Sequence, residues 1–157
     1  MKKKILNDLI NFYKIDYVEQ HLVYSFLQNN NLDFKKSLII SDFLNNFEIN
    51  PSIYLSVSSF KINDIKKLEN YLELLIPKSD RKVNGAFFTP NFIIDFIISE
   101  VSPQSKDKCL DPSCGCGAFL IGLVEYFKKT FKKSVKSIIK KNIFGADILN
   151  YNVTRSK

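Results

Sequence analysis

The sequence predicts an α/β fold over its second half, preceded by a small α-helical region. Residues 108–111 and 142–149 are short apolar segments that read as buried strands. Between them, glycines turn the chain and the segment AFLIGLVEYFKKTF begins a helix. Strand, glycine turn, helix and strand in this order are the signature of a βαβ unit, so a parallel sheet is predicted.

The size and composition of the chain are those of a globular protein. It has 157 residues, 45% of them hydrophobic and 25% charged, with a mean hydropathy of −0.08. These values predict a packed core and exclude a disordered chain. No apolar run approaches the roughly 18 residues needed to span a bilayer, so no membrane segment is predicted.

The beginning of the chain, MKKKILNDLINFY, loosely resembles a signal peptide. Asn7, Asp8 and Asn11 interrupt its apolar part, and no small-residue cleavage site follows. We therefore predict a helix of a cytoplasmic protein. Three cysteines lie between residues 109 and 116, too close together for a disulfide framework, which also favours a reducing compartment.

Residues 1–80 are predicted to form the helical region. Val18, Leu22 and Phe26 recur every four residues, and KKSLIISDFLNNF predicts a further short helix. Residues 29–31 and 49–52 are predicted breaks between helices. The segment FKINDIKKLENYLELLI places its apolar residues on one helix face: Ile62, Ile65, Leu68, Tyr71, Leu72 and Leu75.

For this last helix, Ser59 or Asn63 is the predicted cap and Pro77 the predicted end. His21 lies earlier in the same region, and no residue near it supplies a nucleophile or a second metal ligand. We interpret it as a solvated or core-edge histidine rather than a catalytic one.

A polar segment, KSDRKVNG at residues 78–85, is the predicted linker to a second region at residues 84–157. The segment AFFTPNFIIDFIISEV then predicts a helix, with Thr89 as its cap and Pro90 as its first residue. Its apolar residues leave little polar face, so we expect this helix to be largely buried.

The turn DPSCGCG, residues 111–117, has the residue types of a ligand-binding turn. Gly115 and Gly117 leave backbone N–H groups at the start of the next helix accessible to a polar ligand. Asp111 lies at the end of the first strand. Asp147 follows the second strand, where doubly wound folds hold ribose hydroxyls.

Two common nucleotide-binding motifs fit this turn poorly. The dinucleotide fingerprint would need a glycine or alanine where Leu120 stands, and Asp147 follows Gly115 by 32 residues rather than about 20. No Gly-Lys-Ser/Thr sequence follows the turn, which excludes a P-loop.

Cys109, Cys114 and Cys116 form a C-x4-C-x-C cluster that offers thiol ligands to a metal. A zinc site usually needs four ligands at looser spacing, and the sequence has no fourth cysteine and no nearby histidine. We interpret the cysteines as small residues that fit the turn. No metal is predicted.

Three motifs, NGAFFTP, LDPSCGCGAFL and IFGADI, resemble in this order the N-terminal half of adenine-specific (N6) DNA methyltransferases. The resemblance is greatest to the modification parts of type I and fused type IIG restriction–modification systems. In that family a Thr-Pro motif precedes D-P-x-x-G-x-G and an acid after the second strand. The resemblance covers residues 84–157 and implies the start of a Rossmann-like class I methyltransferase fold.

The cofactor implied by this resemblance is S-adenosylmethionine. Asp111 would bind the amino group of its methionine part, with Gly115 and Gly117 allowing close approach of the backbone. Thr89, at a helix N-terminus, would hold the methionine carboxylate. Asp147 would accept hydrogen bonds from both ribose hydroxyls.

Other residues of the same motifs complete the implied site. Ile148 would pack against the adenine ring. Phe88 and Phe119 are candidate walls of the pocket, with core packing as the alternative. The remaining residues of the implied cofactor-binding site are Pro90, Pro112, Ser113 and Cys114.

In the family, transfer to adenine N6 uses an Asn/Asp-Pro-Pro-Tyr/Phe motif, which these 157 residues do not contain. The resemblance implies that this motif and the DNA-recognition region lie downstream, so we predict no catalytic residue here. The chain alone is expected to be inactive and marginally stable, and to need a complementing chain or a specificity or restriction subunit. The alternatives are a truncated remnant or split-enzyme piece, and a nucleotide-binding oxidoreductase fragment.

A formal net charge of +7 and an isoelectric point near 9.2 suggest an acidic partner such as nucleic acid, although a compositionally biased genome that favours lysine, asparagine and isoleucine also explains them. The segment KKTFKKSVKSIIKK, residues 128–141, is the strongest charge feature. Either it contacts the DNA backbone or its lysines line the solvent face of a helix packed on the sheet; apolar residues at helical spacing favour the second interpretation.

Overall fold

A computed structural model describes residues 1–76 and 89–156 of the chain. The chain divides into two compact units, residues 1–79 and 80–157. The described residues are mostly helical and contain a small two-stranded parallel sheet. Within these ranges, no helix has the length and apolarity required to cross a membrane.

The first unit is built from helices around a shared apolar core. They are α1 (Lys2–Phe12), α2 (Ile15–Asn29), α3 (Leu38–Phe43), α4 (Pro51–Ser58) and α5 (Ile65–Leu74), with a short 3-10 helix at Phe34–Lys36. Helix α2 packs against α1, α4 and α5. The apolar side chains that are fully or almost fully buried are Leu6, Val18, Leu22, Ile53, Val57, Phe60, Ile62 and Leu75.

The predicted apolar face of α5 is confirmed for every residue except Ile65, which is 45% exposed. The predicted cap was wrong. Asp64 has an extended backbone, and its carboxylate accepts a hydrogen bond from the Lys67 N–H at 2.8 Å, so the helix begins after it. Helix α5 ends at Leu74, and the predicted stop at Pro77 lies outside the described residues.

The predicted break at residues 49–52 contains the start of a helix. The side chain of Asn50 accepts hydrogen bonds from the N–H groups of Ser52 and Ile53 at 3.0 and 3.2 Å. Pro51 follows as the first residue of α4, a position that needs no N–H donor. The Asn-Pro pair was therefore an N-terminal helix signal rather than a simple break.

His21 is fully buried, so the prediction of a solvated or core-edge position was wrong. Its Nδ1 lies 2.7 Å from the carbonyl oxygen of Tyr17, and its Nε2 accepts a hydrogen bond from the Asn50 N–H at 2.9 Å. These partners require a neutral ring with its proton on Nδ1. Burial lowers the pKa of His21, although both backbone hydrogen bonds oppose that shift. The ring thus ties α2 to the cap of α4.

The second unit places helices on one face of the small sheet. Its elements are α6 (Asn91–Val101), β1 (Cys109–Asp111), α7 (Ala118–Phe131), α8 (Val135–Lys141), β2 (Ile143–Gly145) and α9 (Asn150–Arg155). The strands are parallel and pair Cys109 with Ile143, Leu110 with Phe144, and Asp111 with Gly145. The predicted βαβ connection is therefore confirmed.

The core of this unit lies between the helices and one face of the sheet. It consists of Ile94, Ile98, Leu123, Phe127 and Ile138, with Cys109 and Ile143 packed against it from the strands. Alternate strand residues point to the other face. Both strands were predicted to be buried, but Leu110 is 63% exposed and Phe144 is 43% exposed, and β2 ends at Gly145 rather than at residue 149.

The prediction that α6 would be largely buried was also wrong. Only Ile94 and Ile98 are buried, whereas Phe92, Phe96 and Val101 are 72, 62 and 68% exposed. The reason is that α6 packs on α7 along a single stripe. A Cβ atom at Gly122 would lie 2.9 Å from both Ile94 Cγ2 and Ile98 Cδ1, so the two helices approach most closely where α7 has no side chain.

Candidate functional site

The turn after β1 is held by hydrogen bonds within its own backbone and to Asp111. The Asp111 carboxylate accepts one from the Ser113 N–H at 3.0 Å, and the Cys114 carbonyl accepts one from the Gly117 N–H at 2.8 Å. Gly115 and Gly117 have φ values of +55° and +96°, which side chains rarely tolerate. This explains the need for glycine at both positions of the turn.

The residue after β2 connects the two ends of the Asp-Pro-Ser-Cys segment. The N–H of Ala146 donates to the Asp111 carbonyl at 2.9 Å, and the Ala146 carbonyl accepts from the Cys114 N–H at 2.9 Å. These bonds continue the strand pairing past β1 and β2. They bring the Asp111 turn and Asp147 to the same edge of the sheet.

Asp147 fixes this edge through its carboxylate. One oxygen, Oδ2, accepts a hydrogen bond from the Gly115 N–H at 2.9 Å. The other, Oδ1, accepts from the Leu149 N–H at 2.8 Å and from Asn152 Nδ2 at 3.2 Å. A carboxylate has about four acceptor positions, so Oδ2 retains one for a further donor.

Open space borders the turn on its outer side. A Cβ atom at Gly115 would meet no atom within 4 Å. Ile148, next to Asp147, is 88% exposed, and Pro112 and Ser113 are also exposed. The Oδ2 atom of Asp111 has no hydrogen-bond partner within the described ranges. The edge therefore offers two carboxylate oxygens and an exposed apolar side chain to a ligand.

Thr89, Pro90 and Phe119 take no part in the hydrogen bonds that hold the turn. Pro90 occupies the N-cap of α6 and Asn91 is its first residue, so the prediction that Thr89 caps the helix was wrong by one position. Pro90 has no side-chain acceptor, and no hydrogen bond between described residues joins Thr89 to the turn. Phe119 packs against the core cluster, as in the alternative interpretation. Phe88 is outside the described residues.

The cysteines are thiols within or beside the turn. Cys114 and Cys116 are buried and Cys109 is half-buried. Burial raises the pKa of Cys109 and of Cys114, with smaller contributions from nearby carboxylates, so both are protonated at neutral pH. Across residues 1–76 and 89–156, no group of three or more histidine, cysteine or acidic side chains could hold a metal ion.

Two residues that shape the site were missed in the sequence. Asn152 is buried and donates to Asp147, but its position in the helix after β2 gave no local signal. Gly145 lies where a Cβ atom would come 2.8 Å from Leu120 Cδ1 and 3.1 Å from Cys114 Sγ. A glycine at the end of an apolar strand was the available signal for such a close approach.

The comparisons with known proteins agree on one family. The sequence profile described as N-6 DNA Methylase matches residues 67–155. The methylase subunit of the type I restriction enzyme EcoEI from Escherichia coli is 26% identical over 65 residues, which is 40% of this chain and 13% of the relative. No solved structure matches the chain significantly.

The family match covers more than half of the sequence and includes the whole Asp111–Asp147 edge. The resemblance drawn from the three motifs is thereby confirmed. The chain belongs to the N-6 DNA Methylase family.

Proposed function

We propose that the second unit binds S-adenosylmethionine and that the chain is the cofactor-binding portion of an adenine-specific DNA methyltransferase of a restriction–modification system. The observation that carries the proposal is the hydrogen bond from the Gly115 N–H to Asp147 Oδ2. It holds a glycine turn and a second acid at the carboxyl edge of a parallel sheet, where such folds bind nucleosides. We assign cofactor binding to residues 84–157 and leave residues 1–80 as a separate helical region.

The residues at this edge fit the groups of the cofactor. Asp111 Oδ2 suits the positively charged amino group, because it is an oxygen of a half-buried carboxylate and accepts no hydrogen bond from any described residue. The space outside Gly115 lets the ligand approach the main chain. Asp147 Oδ2 has room to accept from one ribose hydroxyl, and the exposed Ile148 side chain offers an apolar surface to the adenine ring.

Thr89 remains part of the proposal as a donor to the methionine carboxylate. It lies one residue before the N-cap of α6, so its hydroxyl and the free N–H groups of the first helical turn are both near the positive end of that helix. Pro90 contributes no donor. This arrangement favours an anionic group without needing a basic side chain.

When bound, the cofactor supplies an electrophilic methyl group on its sulfonium, and the acceptor is adenine N6. Holding a flipped base requires acceptors and an aromatic ring that the family's Asn/Asp-Pro-Pro-Tyr/Phe motif provides. Because these 157 residues lack that motif, we propose that the chain binds the cofactor in the cytoplasm without transferring methyl on its own. The proposed partners are DNA and a complementing chain or a specificity or restriction subunit.

The experiment is calorimetric titration of the chain with S-adenosylmethionine and, separately, with NAD. We expect saturable binding of S-adenosylmethionine and weaker binding of Asp147→Ala by about 1–3 kcal/mol, because hydrogen bonds to a carboxylate are lost. Asp95→Ala is the matched control, since Asp95 is an exposed acid on α6. Preferential binding of NAD would instead support the oxidoreductase alternative, and no binding of either would support a remnant. Methyl transfer to DNA by the chain alone would contradict its assignment as cofactor-binding only.

A further inference from the structure

The positive charge of the chain is concentrated in one segment. Residues 128–141 contain seven lysines and no acidic residue. The net charge of this segment, +7, equals the formal net charge of all 157 residues. The rest of the sequence therefore has no net charge. A composition bias spread evenly over the chain would not produce this distribution.

The structure places this segment on the edge of the sheet opposite Asp111 and Asp147. It comprises the end of α7, the whole of α8 and the connection between them. Helix α8 leads directly into the start of β2, and α7 ends where the chain returns to that edge. Since β1 and β2 are parallel, the lysines lie at the amino edge of the sheet and the candidate cofactor site lies at the carboxyl edge.

One lysine and one asparagine fix the segment to the loop before β1. Lys133 Nζ donates to the Ser105 carbonyl and to Asn142 Oδ1, and it lies 5.5 Å from the centre of the Phe127 ring. Asn142 Nδ2 donates to the carbonyls of Ser105 and Asp107 at 3.2 and 2.7 Å. These bonds bring Lys106 and Lys108 of that loop to the same edge.

The other lysines of the segment are exposed, and none has a partner within the part of the chain that the structure describes. No side chain among Lys128, Lys129, Lys132, Lys136, Lys140 and Lys141 forms an ion pair or a hydrogen bond with a described residue. Lysines in the last turns of α7 and α8 complement the helix dipoles. That effect does not account for Lys136, which lies in the first turn of α8.

We propose that this lysine surface, made of these six residues with Lys106 and Lys108, binds the phosphate backbone of DNA without reading bases. Lysine is a point charge suited to phosphates, whereas protein interfaces favour arginine and exposed aromatic residues and are depleted in lysine. The surface has no arginine, and its aromatic neighbours Phe127 and Phe131 are buried or half-buried. The inference rests on the proposed function only in taking DNA as the partner.

Because the surface lies on the edge opposite the candidate cofactor turn, it would contact DNA away from the base to be methylated. Such contacts add affinity that falls steeply with salt. They would position the duplex but leave the choice of sequence to other regions.

The test is fluorescence anisotropy of a labelled duplex of arbitrary sequence with the 157-residue chain, over a range of salt concentrations. The variant Lys132→Gln/Lys136→Gln/Lys140→Gln/Lys141→Gln should bind at least about tenfold more weakly at low salt. Its slope of log K against log salt should be smaller in magnitude by about 3.6, given about 0.9 for each of four lost phosphate contacts. The matched control Lys3→Gln/Lys4→Gln/Lys35→Gln/Lys36→Gln removes the same charge from exposed positions of the first unit and should bind nearly as the unchanged chain does.

An equal loss of DNA affinity in the two variants would show that only the net charge of the chain matters, and this would overturn the proposal. An unchanged DNA affinity in the first variant would overturn it as well. So would tighter binding to polyglutamate or to anionic vesicles than to DNA at the same salt concentration. If the first variant melts at a lower temperature than the unchanged chain, a second variant with arginine at the same four positions separates charge from folding. It keeps the positive charge and should bind DNA as the unchanged chain does. The first lysine variant should still bind S-adenosylmethionine, so failure of the cofactor site and failure of the lysine surface give different results.

Discussion

Asp147 and Gly115 are joined by a hydrogen bond of 2.9 Å between residues that are 32 positions apart in sequence. The same carboxylate also accepts from the Leu149 N–H and from Asn152. Asp147 therefore holds the turn and the start of α9 in place before any ligand is bound. A loss of cofactor affinity in Asp147→Ala can come from the ribose contact or from the turn.

The two effects of Asp147 can be separated with a ligand change. We expect the 2′-deoxyribose analogue of S-adenosylmethionine to bind the unchanged chain more weakly by about 1 kcal/mol, the free energy of a typical hydrogen bond. In Asp147→Ala this difference should largely disappear, because the acceptor is gone. Asn152→Ala is the control, since it removes a partner of Asp147 but leaves the carboxylate. An unchanged penalty in Asp147→Ala would assign Asp147 to the turn alone.

Burial of Glu69 in α5, beside the half-buried Glu73, predicts that the first unit is less stable at alkaline pH. Burial and the neighbouring Glu73 carboxylate raise the pKa of Glu69 from 4.5 to about 8. Between these values the folded state binds more protons than the unfolded state, so the free energy of unfolding falls as pH rises. Glu69→Gln should therefore increase it by about 1–3 kcal/mol at pH 9 and have little effect at pH 4.5.

The measurement for Glu69 is urea unfolding followed by circular dichroism at both pH values. Glu48→Gln serves as the control, because Glu48 is an exposed glutamate of the same unit. It should shift the unfolding free energy by the same small amount at each pH. A Glu69→Gln variant that behaves like this control would contradict a protonated, buried Glu69.

His21 gives the opposite pH dependence. Its pKa is lowered in the folded state by burial, so the unfolded state binds more protons in the window just below pH 6.5. The stability that the neutral ring provides is complete above this window and is lost as pH falls through it. Glu69 titrates over an overlapping pH range and changes stability in the opposite direction. The dependence of the unfolding free energy on pH that comes from His21 is therefore best measured in the Glu69→Gln background.

In that background, the protection of α2 amides against hydrogen exchange should decrease as pH falls from 7 to 5, after correction for the intrinsic exchange rate. The slope should not exceed about 1.4 kcal/mol per pH unit, the limit for one proton. His21 is the only histidine of the chain, so His21→Gln should remove this slope. A slope that persists in the double variant would have to come from another group.

The sequence predicted the parts of this protein that depend on local geometry. The glycines of the turn were identifiable because glycine adopts a positive φ without steric cost, whatever surrounds it. The strand–turn–helix order followed from their position between two apolar segments. The burial of α6 was mispredicted because exposure depends on which elements pack against a helix. Likewise, the bonds from Asn152 to Asp147 and from Asn50 to His21 join residues whose proximity the fold creates.

The outer face of the sheet predicts binding of an apolar dye. Leu110 and Phe144 are paired across the strands and point away from the core, and they are 63 and 43% exposed. Exposed contiguous apolar surface binds ANS, so we expect fluorescence enhancement with the unchanged chain. Leu110→Thr/Phe144→Thr should reduce it with a change in unfolding free energy of less than about 1 kcal/mol, because threonine suits strands and neither side chain packs in the core.

The neighbouring residue Ile143 provides the control for this face. It packs against the core cluster from the opposite side of β2. Ile143→Thr should lower the free energy of unfolding by about 1–3 kcal/mol and should raise ANS fluorescence, since it buries a hydroxyl and loosens the core. A cooperative thermal transition of the unchanged chain with no ANS binding would show that this face does not behave as an exposed apolar surface in solution.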